Sequence, residues 1–119
     1  MEVKRSVRVA ERVREHLSTL IARRVRDPRA QAAIITRVEM PDDLRSARVY
    51  VRTLESDQAK AEEAVDALTR AGKFLKTEIT RALGLRFAPD LHFFYDAGQD
   101  ARDRIDALLK EIEDDRKKS

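Results

Sequence analysis

Two short runs of alternating residues constrain this chain more than any other feature. From Ala33 onward Ile34, Thr36, Val38 and Met40 fall on one side of an extended backbone, with Ile35, Arg37 and Glu39 on the other. That two-residue period predicts a strand. Pro41, Asp42 and Asp43 then supply turn chemistry, because proline presets its backbone angle and aspartate side chains bond to nearby amides. Beyond the turn, Ala47, Val49, Val51 and Thr53 alternate with Arg48, Tyr50 and Arg52. The pair reads as a hairpin with one covered face and one face in water.

The flanking segments must supply that cover, and they read as helices. Val13, Leu17, Leu20, Ile21 and Val25 recur at helical spacing behind Ser6, a candidate cap, while Arg8, Arg12, Glu15, Arg23 and Arg26 take the other side. Asp27 and Pro28 end this first helix, because proline disfavours helical geometry in the residue before it and has no amide proton to continue the ladder. A second stripe, Ala61, Ala64, Val65, Leu68, Leu75, Ile79, Ala82 and Leu83, runs over residues 57–83 with Gly72 inside it. An internal glycine costs a helix roughly 1 kcal/mol relative to alanine. Two helices meeting at an angle therefore suit the stripe as well as one straight rod. Gly84 fits the left-handed position past a helix end, and Leu91 to Tyr95 read as a third, aromatic strand. Ile105, Leu108, Leu109 and Ile112 make a modest helix over 101–112, and the final EDDRKKS reads as a charged, frayed tail.

The expected order is helix, strand, strand, kinked helix pair, strand, terminal helix. It specifies an α+β domain of two layers, a three-stranded sheet with helices on one face, in which Phe74, Phe87, Phe93 and Phe94 fill the core. A crossover between strands of the same sheet is expected to be right-handed. At 119 residues, one domain over 1–112 followed by a tail at 113–119 is the natural division.

Charge narrows the functional classes. The chain has 25 Lys and Arg against 22 Asp and Glu, a net charge of +3, a mild tilt that matters because of where it falls. Residues 1–29 carry Lys4, Arg5, Arg8, Arg12, Arg14, Arg23, Arg24, Arg26 and Arg29 against Glu2, Glu11, Glu15 and Asp27. Between 55 and 69 acids dominate, with Glu55, Asp57, Glu62, Glu63 and Asp66 facing Lys60. After that the balance reverses: Arg70, Lys73, Lys76, Arg81 and Arg86 face only Glu78. Anionic partners fit such clusters. There is no cysteine, which excludes disulfides, thiolate zinc sites and cysteine nucleophiles. His16 and His92 suggest no metal cluster, and no cofactor is called for. No apolar run is long enough for a signal sequence or a membrane span, so a cytoplasmic protein with no membrane partner is expected.

The element order is that of a type II KH domain, a single-stranded RNA fold whose usual mark is a G-x-x-G turn between two helices. The segments VRVAERVREHL, RDPR, VEMPDDLRSARVYV, GKFLKTEITRALGLRFAPDLHFFYD and RIDALLKEI carry a closer resemblance. Together they resemble the ribosome-binding factor A family, bacterial factors of small-subunit maturation, over nearly the whole chain. That resemblance implies a KH-like, non-catalytic assembly factor that binds the 30S subunit and its 16S rRNA and promotes late maturation and rRNA processing, with a role in cold adaptation. It implies other assembly factors as partners, a GTPase among them, and a monomer when free. The family writes its helix kink as A-x-G, and the corresponding residues here are Ala71, Gly72 and Lys73. Glycine stands one place forward and lysine takes its usual site, while Gly72 is expected to keep the kink.

An RNA site is then expected at Arg70, Gly72, Lys73, Lys76, Arg81 and Arg86, extended by Arg5, Arg8 and Arg12. The cations neutralise phosphates, and a missing Cβ lets an RNA backbone approach. Plainer readings stand beside this one. Arg8, Arg12, Arg23 and Arg26 also suit a solvated helix face, and Gly72 suits close helix packing. Arg48, Tyr50 and Arg52 could stack a base on the open sheet face, although that is not the usual KH site and ordinary strand surface explains them more simply. His92 reads as a surface strand residue. Two rival functions are a protein-interaction module working through the acidic 55–69 segment and a small phosphate-ester hydrolase built on Asp90, His92 and Asp96. The hydrolase lacks any nucleophile motif, metal-spaced histidine pair or phosphate loop.

Overall fold

The hairpin forms as β1 (Ile34–Glu39) and β2 (Ser46–Arg52), paired antiparallel, and β3 (Asp90–Tyr95) joins the far side of β2 in parallel, giving the order β1-β2-β3. The structure is a computed structural model that describes residues 3–55 and 57–118. Parallel pairing of β2 with β3 requires a crossover, which α3 (Gln58–Arg70) and α4 (Gly72–Leu83) provide. The first helix is α1 (Arg5–Arg24), a single turn α2 (Pro28–Gln31) follows it, and α5 (Gly98–Lys118) closes the chain. All the packed helices cover one face of the sheet, in the two-layer α+β, KH-like arrangement expected.

The strand faces differ from simple alternation at one place. Ile35 pairs with Val51 and Val38 with Val49, so Thr36 and Arg37 together oppose Tyr50. This β-bulge reverses the side-chain phase of β1. Ile35 therefore enters the core, while Ile34 and Thr36 leave the face that Val38 and Met40 occupy. The Thr36 hydroxyl donates to the Asp96 carboxylate, 2.5 Å away, and lies 3.2 Å from the Tyr50 carbonyl oxygen. The bulge is thus tied to the end of β3 by a charge-assisted bond.

Four further expectations change. Ser6 is no cap: Lys4 holds that position, and the buried Ser6 hydroxyl donates to Asp42 in the β1–β2 turn at 3.2 Å. Asp27-Pro28 does more than end α1. Asp27 caps α2 by accepting from the Arg29 amide at 3.0 Å, with proline at the first turn where no amide bond is lost. The terminal helix begins before 101 and continues past 112 to Lys118, and residues 106–117 are all exposed. The phenylalanines divide: Phe93 is buried and Phe74 half-buried against the core, but Phe87 and Phe94 are 45% and 44% exposed.

The core lies between the helices and the inner sheet face. Leu17, Leu68, Leu75, Ile79, Val13, Val49 and Val51 are fully buried there. Each such side chain contributes about 1.5 to 3 kcal/mol relative to exposure. The helix break falls at Ala71 (φ −82°, ψ 1°), which still accepts from the Leu75 amide and donates to Ala67, both near 3 Å. Gly84 ends α4 in the left-handed conformation (φ 61°), and the following Leu85 amide donates back to the Thr80 carbonyl. Only a residue without Cβ takes that geometry freely.

Candidate nucleic-acid interface

Helices α1 and α4 lie side by side and run in opposite directions. At one end Arg24, in the last turn of α1, donates to Glu78 at 3.0 Å and covers the Phe74 ring at 5.0 Å. At the other end Arg5, in the first turn, shares a cleft of about 190 Å³ with Leu85, Arg86 and Phe87 just beyond α4 and with Asp42 and Asp43 of the β1–β2 turn. Twenty residues of α1 separate the ends, roughly 30 Å at 1.5 Å per residue. The nine expected RNA-binding residues therefore do not form one cluster. Arg70, Gly72 and Lys73 gather at the helix break, Arg5 and Arg86 at the distal cleft, and Arg8, Arg12, Lys76 and Arg81 lie between.

The surroundings decide how much charge each offers. Arg5, Arg8, Arg12 and Lys73 are exposed and enter no ion pair among the described residues. Lys76 is partly committed, because its ammonium group bonds Asp90 at 2.7 Å and so holds the Asp90 carboxyl below its usual value. Arg81 sits 3.9 Å from Glu78, which also serves Arg24. Arg70 approaches Asp27 at 3.7 Å. Hydrogen bonds from Arg29 keep the Asp27 carboxyl below its usual range, so Asp27 remains an anion beside the break.

Gly72 is half-buried, and a Cβ built on it would meet nothing within 4 Å. Close helix packing therefore does not require the glycine. The acids of α3, Glu62, Glu63 and Asp66, are exposed, and the Arg29 pKa is raised chiefly by its hydrogen bond to Asp27, with Glu63 and Asp66 adding to it electrostatically. Folding thus sets an acidic face of α3 apart from a basic α1–α4 side.

Three contributors escape sequence inspection. Arg24 reaches α4 from more than fifty residues away in sequence, Asp27 faces Arg70 across a chain reversal, and Arg45 from the β1–β2 turn covers the exposed Phe87 ring at 4.4 Å. Only the fold brings these pairs together. The hydrolase reading loses its geometry: Asp90 and Asp96 bracket β3, about 20 Å apart at strand rise. Asp90 is bound to Lys76, and Asp96 is buried against Thr36 and the Gly98 amide. No helix among the described residues is long and apolar enough to cross a membrane.

Comparison with known proteins agrees with this architecture. The ribosome-binding factor A family profile matches residues 5–109. Ribosome-binding factor A of Sorangium cellulosum is 48% identical over 114 residues, covering 94% of this chain and 91% of that protein. A solution structure of a Thermotoga maritima protein, a putative ribosome-binding factor A, superposes with a TM-score of 0.69 at 31% identity, over 82% of this chain and 92% of that one. A homology model of the Thermus thermophilus factor, fitted into the electron cryo-microscopy map of its complex with the 30S subunit, gives a TM-score of 0.61 at 25% identity over 75% and 92% of the two chains. Sequence agreement extends over more than nine-tenths of the chain and fold agreement over three-quarters or more, and the chain belongs to the ribosome-binding factor A family.

Proposed function

We propose that this chain binds the 30S ribosomal subunit and contacts 16S rRNA through the basic α1–α4 side, with the helix break at Ala71–Gly72 as the point of closest approach. It acts without catalysis, as a factor of late subunit maturation and rRNA processing in the cytoplasm, alongside other assembly factors. The observation that carries the reading is local. At the break an exposed, unpaired Lys73 stands beside a glycine with open space over its missing Cβ. A phosphate can approach that backbone closely while the ammonium group neutralises it. The 30S-bound Thermus relative, which shares this fold, supports the partner.

Co-sedimentation with purified 30S subunits at two salt concentrations tests it. Lys73→Glu is expected to weaken binding and to lower the slope of log affinity against log salt by about 0.7 to 0.9, the value of one lost phosphate contact. Glu62→Lys on the acidic side is expected to leave binding intact. Unchanged binding by the Lys73 variant, with loss in the Glu62 variant, would transfer the function to a protein contact on α3.

A further inference from the structure

The sheet face turned away from the helices carries a second feature that the α1–α4 side does not use. Tyr50 and Phe94 are cross-strand neighbours on β2 and β3, with ring centroids 5.8 Å apart and planes inclined by 34°. Arg37, opposite Tyr50 on β1, lays its guanidinium 4.1 Å from the Tyr50 ring centre. Guanidinium, phenol and phenyl therefore follow one another across all three strands at one level, with the guanidinium over the Tyr50 ring and the Phe94 ring tilted from it. The bulge at Thr36 creates this row, since simple alternation from Ile35 would turn Arg37 inward with Val51's neighbours. Phe94 is 44% exposed.

Charge frames the row. Arg48 and Arg52 flank Tyr50 along β2 on the same face, one step of the strand repeat to either side. Glu39 on this face lies 3.6 Å from Arg37, accepts a hydrogen bond from the Tyr50 hydroxyl at 3.4 Å and stands opposite Arg48 across the strands. Asp90 and Asp96 beside β2 are engaged by Lys76 and Thr36, and Arg48 and Arg52 enter no ion pair among the described residues. Beyond Arg48 a shallow recess of about 360 Å³ opens between Met40 and Ser46. A cross-strand aromatic pair stabilises a sheet by itself, but that benefit does not call for three arginines around it or for an exposed phenyl ring. Every nucleobase has a π-face that stacks on aromatic and guanidinium planes, and its phosphates need cations at the rim.

We propose that this outer sheet face is a second nucleic-acid site, a stacking platform for one or two unpaired bases of a single-stranded RNA segment. The segment would contact Phe94 and the Arg37–Tyr50 pair through its bases and Arg48 and Arg52 through its phosphates. The site lies on the opposite layer from the α1–α4 side and does not depend on the reading given to that side. A chain engaged on both faces would hold two rRNA segments at once.

The test uses the full chain and short fluorescent single-stranded RNA, with binding read by anisotropy and folding by amide NMR spectra. Phe94→Leu and Tyr50→Leu keep apolar bulk on the outer sheet face but remove the π-face. Each is expected to weaken binding roughly 5- to 100-fold, as loss of one stacked base does, with the spectrum otherwise native. Tyr50→Phe should bind within about twofold of the parent, because the ring is retained. An abasic strand of equal length and charge should bind the parent no better than the Leu variants. Lys73→Glu separates the two faces, and should leave amide shifts at Tyr50 and Phe94 on RNA addition unchanged. Equal binding of the abasic and normal strands would overturn the platform, leaving only charge attraction. Retained RNA binding by the Leu variants, with loss of 30S binding, would also overturn it and make this face a protein contact. Shifts confined to residues 106–117 on mutating the rings would overturn it by making α5 the occupant.

Discussion

Gly72 is the residue at which stability and function separate most cleanly. It stands at the start of α4, its φ is ordinary, and its missing Cβ faces empty space. Neither backbone strain nor packing therefore requires glycine, and alanine is the better helix former by up to about 1 kcal/mol. Gly72→Ala is expected to raise the thermal midpoint by a few degrees, an increment of roughly 4 °C per kcal/mol for a domain of this size. If an RNA backbone passes over this point, the same substitution lowers 30S affinity. A variant both more stable and undiminished in binding would show that the glycine is not part of the contact surface. Thr53 makes a second case. Its buried hydroxyl has no hydrogen-bond partner among the described residues. Thr53→Val, nearly isosteric, removes an unsatisfied polar atom and is expected to stabilise the fold by about 1 kcal/mol in denaturant titration.

Among the elements, the helices were more legible in the sequence than the sheet faces. The 3.6-residue stripe located α1, α3 and α4 to within a few residues because each turn repeats the same core face, and Leu17, Leu68, Leu75 and Ile79 all lie where that period places them. The hairpin was legible as a pair of strands, but the bulge was not. Alternation carries no mark of one extra residue, and the bond from Thr36 to Asp96 that holds the bulge joins positions far apart in sequence. Phe94 and Phe87 escape the core for related reasons: alternation turns Phe94 to the face opposite the buried Phe93, and Phe87 lies in the α4–β3 loop, where no period assigns a face. The same limit hid Asp27. Its second function, beyond capping α2, is to oppose Arg70. Asp27→Asn keeps an equally good cap while freeing Arg70 and Arg29, so 30S affinity is expected to rise and its salt dependence to steepen. The stability effect has a definite sign with pH. The folded carboxyl is depressed by Arg29, so its contribution is complete above the unfolded value of about 3.9 and disappears as pH falls through the lower folded value. The parent should exceed the Asn variant in midpoint denaturant at neutral pH, and the gap should close in strong acid.

For the whole molecule, the question is whether the cations at the two ends of α1 serve one RNA or whether only the break does. Lys73 lies at the break, whereas Arg86 shares the distal cleft with Arg5, beyond the far end of α4, whose span from Lys73 to Leu83 is about 15 Å. That spacing exceeds both the Debye length at physiological salt, about 8 Å, and the range over which neighbouring mutations couple, about 10 Å. Lys73→Ala and Arg86→Ala should consequently act independently on a single extended contact. Each is then expected to reduce the salt slope of 30S binding by about 0.7 to 0.9, and the double variant by the sum. If Arg86 serves only to cover Phe87, whose ring it approaches at 5.3 Å, its substitution lowers stability slightly and leaves the slope alone. A full response from the double variant would require the bound RNA to run the length of the α1–α4 side. A response equal to Lys73→Ala alone would confine the contact to the helix break and leave Arg5, Arg8 and Arg12 as long-range attraction for the subunit.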